Sequence, residues 1–355
     1  MAYKGVLEDI RKSIALQVPG RVPVFACSEE FDVRMAGAMY DVYNRDAKVM
    51  ARCQSEAIKR FGYDWAWLQV DDCIEFEVLG VGSKGSGNIL PATCDYLPAT
   101  RATLDRLKMP DPKRDGRMPV LLEAIKRLKD EFGDTICVTG RTAAPFSSAS
   151  LMYGISETMV LMYDDPELLL DTIRFCTEMQ TAFGLAQIEA GADALWFGDC
   201  NASGHLISVD QYNEFAAEGA SQCATAYRNA GGWSWYHASE HSPAHLKAQA
   251  ATGVSAVSIG PGLDIALAKA AIGDRCCILG NVDPILSLLQ GTEQEVVDAT
   301  NRIFAAGSQG GGYLFNTGEM VPRDIPEANM MAMVRTARAA DAARVAASAA
   351  AKSGR

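Results

Sequence analysis

Ala194-Leu195-Trp196-Phe197-Gly198-Asp199 and Trp233-Ser234-Trp235-Tyr236-His237 are short apolar runs that end in polar side chains suited to chemistry. The pattern recurs in Cys277-Ile278-Leu279-Gly280-Asn281, followed by Asp283. It recurs again in Tyr313-Leu314-Phe315-Asn316-Thr317-Gly318, followed by Glu319. Helical patterns separate the four runs. Parallel strands joined by helices bring all their C-terminal ends to one face, so these distant polar residues are expected to converge there.

Working outward, strand-like runs fall at 22–26, 64–69, 136–140, 194–199, 233–237, 256–260, 276–280 and 312–317. Helical patterns occupy 46–61, 119–132, 166–190, 209–230, 243–252, 264–272 and 292–307. Helices stop at glycine and run straight into strands, as in Ala190-Gly191-Ala192-Asp193 and Ala251-Thr252-Gly253. That chemistry fits a repeating β/α unit. Eight units predict a closed (β/α)8 TIM barrel in preference to an open doubly wound sheet. No G-x-G-x-x-G follows an early strand, and the glycines of 80–87 lack phosphate-loop spacing.

The domain reading is one barrel over 1–335, with an N-terminal helix closing its bottom. Residues 70–115, carrying Pro91, Pro98, Pro110 and Pro112, read as a lid-like excursion over the mouth. The Ala-rich tail 336–355 is expected to begin as a helix and fray.

The chain has 355 residues, 48% hydrophobic, with 33 basic against 44 acidic side chains for a net charge of −11. That balance argues against a nucleic-acid partner. No apolar stretch is long enough to span a membrane, and Met1-Ala2-Tyr3-Lys4-Gly5 has no signal character. The ten cysteines are irregularly spaced without a C-x-x-C, which fits free thiols in a reducing cytoplasm. Association into a homodimer is left open.

Gly280-Asn281-Val282-Asp283-Pro284, Gly291-Thr292-Glu293-Gln294-Glu295-Val296 and Pro322-Arg323-Asp324-Ile325-Pro326-Glu327-Ala328-Asn329 together resemble the uroporphyrinogen decarboxylase superfamily. Phe61-Gly62-Tyr63-Asp64 and Gly191-Ala192-Asp193-Ala194 extend the resemblance through most of the chain. It implies the same (β/α)8 barrel. The decarboxylases of that superfamily carry an Arg-rich segment for substrate carboxylates, of the type Met-Arg-Gln-Ala-Gly-Arg. Here the matching stretch is Val24-Phe25-Ala26-Cys27-Ser28-Glu29-Glu30-Phe31. Two acids in a pocket would repel a polycarboxylate, so the haem-pathway reaction is not expected.

The chain is more similar to the corrinoid (cobalamin)-dependent methyltransferases of the superfamily, through Leu79-Gly80, Pro91 and Thr317-Gly318 with Pro322, Asp324, Pro326 and Asn329. Several members hold zinc with a His-x-Cys after the fifth strand and a Cys after the eighth. The matching residues are His237-Ala238-Ser239 and Glu319, so only the histidine is kept. The resemblance implies His237 and Glu319 as a half-site for zinc, with Cys200, Asp199 or Glu240 to complete it, because zinc accepts nitrogen, oxygen and thiolate alike.

Each candidate also has a plainer reading. His237 is either functional or a satisfied core histidine, and Asp199 either contacts substrate or sits in a buried ion pair. Asp72, paired with Asp71, can act as an acid or cap a helix. Arg141 can hold an anion or pair with an acid across the mouth. Asn281, Asn316 and Tyr236 are candidate substrate contacts, although the turn around Asn281 has structural chemistry of its own. His241 and His245 read as surface or capping residues, and His205 as a loop residue at the mouth.

The expected activity, on this resemblance, is transfer of a methyl group from a small methylated substrate to a corrinoid carried by a separate protein. The density of tryptophan and tyrosine on the strands leans toward a methoxylated aromatic, and thus toward O-demethylation. An acid or Lewis-acid metal would activate the leaving heteroatom. A cofactor-independent decarboxylase with another substrate, or a non-catalytic binding barrel, are the alternatives.

Overall fold

The computed structural model describes residues 3–353. Its centre is a parallel sheet of seven strands: β1 (Trp65–Trp67), β4 (Cys137–Ala143), β5 (Ala194–Gly198), β6 (Trp233–Glu240), β7 (Ala256–Ile259), β8 (Cys277–Val282) and β9 (Tyr313–Thr317), in that spatial order. A separate antiparallel hairpin, β2 (Gly82–Lys84) with β3 (Ala92–Cys94), lies in the excursion.

The expected first strand, 22–26, is a single parallel bridge between Val24 and Phe315. It still closes the ring. On one side the Phe25 N–H donates to the Phe315 carbonyl, and the Phe315 N–H donates to that of Pro23. On the other the Asp64 N–H donates to the Val24 carbonyl, and the Asp64 side chain accepts from the Val24 N–H. Pro23 has no N–H to give, which shortens the ladder to one bridge. The expected (β/α)8 class therefore stands, with strand one reduced.

Local sequence explains the elements around the site. Helix Pro166–Glu189 starts with proline at its first position and with Asp165 accepting from the Leu168 N–H. Near its far end Gln187 clips onto β4, accepting from the Arg141 N–H at 2.8 Å and donating to the Arg141 carbonyl at 2.7 Å. Gly140 makes room: a Cβ there would lie 2.1 Å from the Gln187 carbonyl oxygen.

Several segments differ from expectation. Helices Pro145–Tyr153 and Ile155–Asp164 follow β4 in a stretch to which the sequence pattern assigns no helix, and 209–230 contains a π turn at Tyr212–Ala216. Helix Glu327–Ser353 runs unbroken past residue 335. The excursion is anchored by buried Arg117, which donates twice to Asp71 at 2.7 and 2.9 Å and twice to Glu77, at 3.0 Å each. None of the described helices is long and apolar enough to cross a membrane.

Candidate active site at the barrel mouth

A cavity of about 290 Å³ opens at the C-terminal ends of the strands, where a TIM barrel builds its sites. His237, Glu319, Trp196, Arg141, Asp72 and Gln69 line it, and the hairpin side contributes Ala92, Thr93 and Tyr96.

Strand alternation aims β6. Trp235 points inward, its indole N–H donating to the Thr139 hydroxyl, and His237 follows on the same face. After His237 the strand bulges: His237 pairs with Ser258 but Glu240 with the very next residue, Ile259. Ser239 sits in the bulge at φ 48°, a conformation most side chains avoid. The bulge sends the Ser239 hydroxyl to the Glu319 carboxylate.

The result is a compact polar cluster. His237 Nε2 lies 3.1 Å from Glu319 Oε2, and Nδ1 lies 3.0 Å from the Ser258 hydroxyl. Glu319 Oε1 accepts from the Met320 N–H at 2.9 Å. The Trp196 ring packs on the imidazole, with centroids 4.7 Å apart. Burial pulls the His237 pKa down, but the Glu319 carboxylate and then Cys200 outweigh it and hold it up at about 10. Burial pushes Glu319 up, and the facing imidazolium more than reverses this, to about 2. Both shifts run in the direction of an imidazolium–carboxylate pair.

Arg141 stands on another wall. It donates to buried Glu75 and, at 3.0 Å, to half-exposed Asp72. Gln69 donates to the same Asp72 oxygen at 2.9 Å. Two carboxylates already neutralise this arginine.

Other candidates sit elsewhere. Asp199 is fully buried and faces away from the cavity, accepting from the Tyr236 hydroxyl and, at 3.1 Å, from the Ser147 N–H. Burial raises it to about 6 despite these donors. Tyr236 points into the helix layer toward Asp199 and Tyr212. Asn281 is tied to the Gly260 and Leu263 carbonyls, and Asn316 donates to the Cys27 sulfur at 3.2 Å. Glu240 is consumed by the Gly204, His241 and Ser242 N–H groups and by Gln249. His205 and His241 meet each other on the surface at 2.9 Å. His245, expected as a surface or capping residue, lies in the first turn of helix Pro243–Ala251 with its N–H facing the Ser242 cap, and its ring is buried with Nε2 on the Ile207 carbonyl.

Glu29 does not enter the cavity either. It is buried against the hydroxyls of Tyr40 and Tyr43 and the Val70 N–H. Glu30, near Arg323 and Asp324, is not among the cavity's lining residues, so the charge argument drawn from residues 24–31 rests on the missing arginines. Cys200 lines the cavity with an exposed thiol, 4.0 Å from the His237 carbonyl oxygen. It does not complete a ligand set: no three His, Cys, Asp or Glu side chains among the described residues are grouped to hold a metal ion. Ser258 and Glu75 were not singled out from sequence; both lie one strand or loop away from the residues they serve, with no local signal.

The chain belongs to the uroporphyrinogen decarboxylase (URO-D) family, whose model matches residues 8–340. Similar relatives include the methylcobamide:CoM methyltransferase MtbA of Methanosarcina acetivorans, 24% identical over 335 residues and covering 93% of this chain and 97% of that one. The uroporphyrinogen decarboxylase of Chlorobium phaeovibrioides is 29% identical over 250 residues, covering 66% and 68%. A solved methyltransferase from Methanosarcina mazei superposes with a TM-score of 0.85 at 20% identity, covering 94% and 98%. The expected superfamily and barrel are thereby borne out.

Proposed function

We propose that this protein is a corrinoid-linked methyltransferase that uses a proton held between His237 and Glu319 to activate a small methylated substrate. The observation that carries the reading is the 3.1 Å His237–Glu319 pair, set against Trp196 in a cavity at the barrel mouth. Two similar relatives bearing the methylcobamide:CoM methyltransferase name support the choice of branch.

A cavity of about 290 Å³ takes a small molecule but not a corrin ring, so the corrinoid is expected at the opening, presented by a carrier protein. When bound there, a reduced corrinoid supplies a nucleophile for the methyl carbon. The chain's own residues do the rest. Trp196 supplies an apolar wall that excludes water. His237 Nε2 gives its proton to the heteroatom that loses the methyl group, and Glu319 keeps the imidazolium in place until then. The Trp196 ring beside His237 suits a flat apolar ring next to the heteroatom that is protonated. This favours an aryl methyl ether, and hence O-demethylation, over a methyl alcohol.

Zinc does not fit this donor set. The two family cysteines are Ser239 and Glu319, and Cys200 brings no third ligand into a cluster among the described residues. Zinc needs a neutral imidazole and at least three protein donors.

The test mixes purified protein with cob(I)alamin and methylated probes: 2-methoxyphenol, methanol, methylamine and methanethiol. Methylcobalamin should form with the aryl ether and be lost in His237→Ala. Release of CO2 from a carboxylic acid, without any methyl transfer, would instead establish the decarboxylase alternative.

A further inference from the structure

One side chain serves the cavity from behind it. Ser258 stands in the otherwise apolar run Ala256-Val257-Ser258-Ile259 of β7 and is fully buried. It is not among the cavity's lining residues, yet it holds one that is. A hydroxyl taken into the core costs stability unless it is bonded, and alanine would fill nearly the same space without that cost.

The strand register shows what the hydroxyl does there. His237 on β6 and Ser258 on β7 are direct partners, so their side chains leave the sheet on the same face. The Ser258 hydroxyl lies 3.0 Å from His237 Nδ1, and this is its one side-chain hydrogen bond among the described residues. At the other edge of the ring, Nε2 lies 3.1 Å from Glu319 Oε2 and 3.4 Å from the Ser239 hydroxyl. Trp196 packs on the ring face. The imidazole is gripped at both nitrogens, and the partner of one nitrogen governs the chemistry of the other. A carboxylate oxygen at Nε2 calls for a hydrogen on that nitrogen, whereas a hydroxyl at Nδ1 can give or accept.

Resting on the reading of His237 as the residue that acts on the methylated substrate, we propose that Ser258 is a positioning residue whose hydroxyl accepts the Nδ1–H, fixes the ring plane and leaves Nε2 as the one nitrogen that gives up its proton. Once the Nε2 proton has passed to the departing heteroatom, the ring is neutral and its remaining hydrogen is on Nδ1. Ser258 still accepts that hydrogen, so the bare Nε2 stays turned to the cavity, ready to be protonated again.

Nitrogen NMR of the histidine rings tests this in the full-length protein without corrinoid or substrate, with His237→Ala identifying the signals. In the wild type, Nδ1 should carry a hydrogen protected from exchange. Ser258→Ala should lose that protection, and Ser258→Thr, which keeps the hydroxyl, should retain it. In methyl transfer from 2-methoxyphenol to cob(I)alamin, Ser258→Ala should lower kcat about ten- to a hundredfold while KM changes by less than about twofold. Ser258→Thr should recover most of the loss. Thermal melts show whether the variants are folded, and the wild-type NMR stands without them. A bare Nδ1 in the wild type, a wild-type kcat in Ser258→Ala, or a rise in KM in place of the fall in kcat would each overturn the role. A wild type that shows the protected Nδ1 hydrogen but no methyl transfer would leave Ser258 as the residue that orients His237 and remove the proposed function instead.

Discussion

Replacing Glu319 by Gln should return His237 to a low pKa, and the size of the fall follows from the geometry. Two unit charges 3.1 Å apart attract by about 5 kcal/mol at an effective dielectric near 20, or about 4 pKa units. The Glu319 side chain is 36% exposed, and solvent trims this toward about 3 units. Gln keeps the shape and the contact with Ser239 but removes the charge. What then remains for His237 is chiefly burial, which lowers its pKa. The wild-type imidazole should therefore stay cationic through pH 9 and titrate near 10, whereas in Glu319→Gln it should titrate at or below the ordinary 6.5. Carbon-detected NMR of the ring signals follows this directly, because the chain has only four histidines. A wild-type His237 that titrates near 6.5, or one indifferent to the Glu319 substitution, would refute the ion-pair assignment.

Three further outcomes follow from the same structure. Glu29 has its pKa raised from 4.5 to about 7 by burial, so its contribution to stability is present below about pH 4.5 and is lost as pH rises through 7. Glu29→Gln, with Tyr40, Tyr43 and Val70 still able to hydrogen-bond, should flatten the melting temperature across that window; an unchanged slope would contradict it. Arg117→Met should cost about 3–5 kcal/mol in urea unfolding, because it strands the buried Asp71 carboxylate. A cost under about 1 kcal/mol would mean that Asp71 finds water or another donor. Gly140→Ala should destabilise the protein and loosen the helix Pro166–Glu189 at Gln187, since the new methyl collides with that amide; hydrogen exchange at the Arg141 N–H, donated to Gln187, reads it.

The barrel was legible because its strands are buried on both faces and read as apolar runs, while glycine stops mark the helix ends. What the sequence could not show was orientation. Asp199 ends a run as conspicuous as the one ending in His237, and Tyr236 immediately precedes that histidine, yet the two bond each other in the helix layer. The bulge after His237 inverts the expectation for the next residues, placing Ser239 on Glu319 and Glu240 in a ring of loop N–H donors. No local pattern in Ala238-Ser239-Glu240 announces such a bulge. Helices 145–164 have no clear signal in the sequence because Pro145-Phe146-Ser147-Ser148-Ala149-Ser150 lacks an amphipathic period; all six are buried, and packing overrides the weak local preference of serine for helix. The acids of residues 29 and 30 were read as facing a pocket, while the structure pairs Glu29 with two tyrosines behind it.

The central claim is that His237 and Glu319 act through a shared proton rather than through zinc. Its most direct test is single-turnover methyl transfer from 2-methoxyphenol to cob(I)alamin, measured after exhaustive chelation with the zinc content determined on the same sample. The account predicts an unchanged rate with far less than one zinc per chain. One zinc per chain, with transfer abolished by its removal and restored by its return, would contradict it.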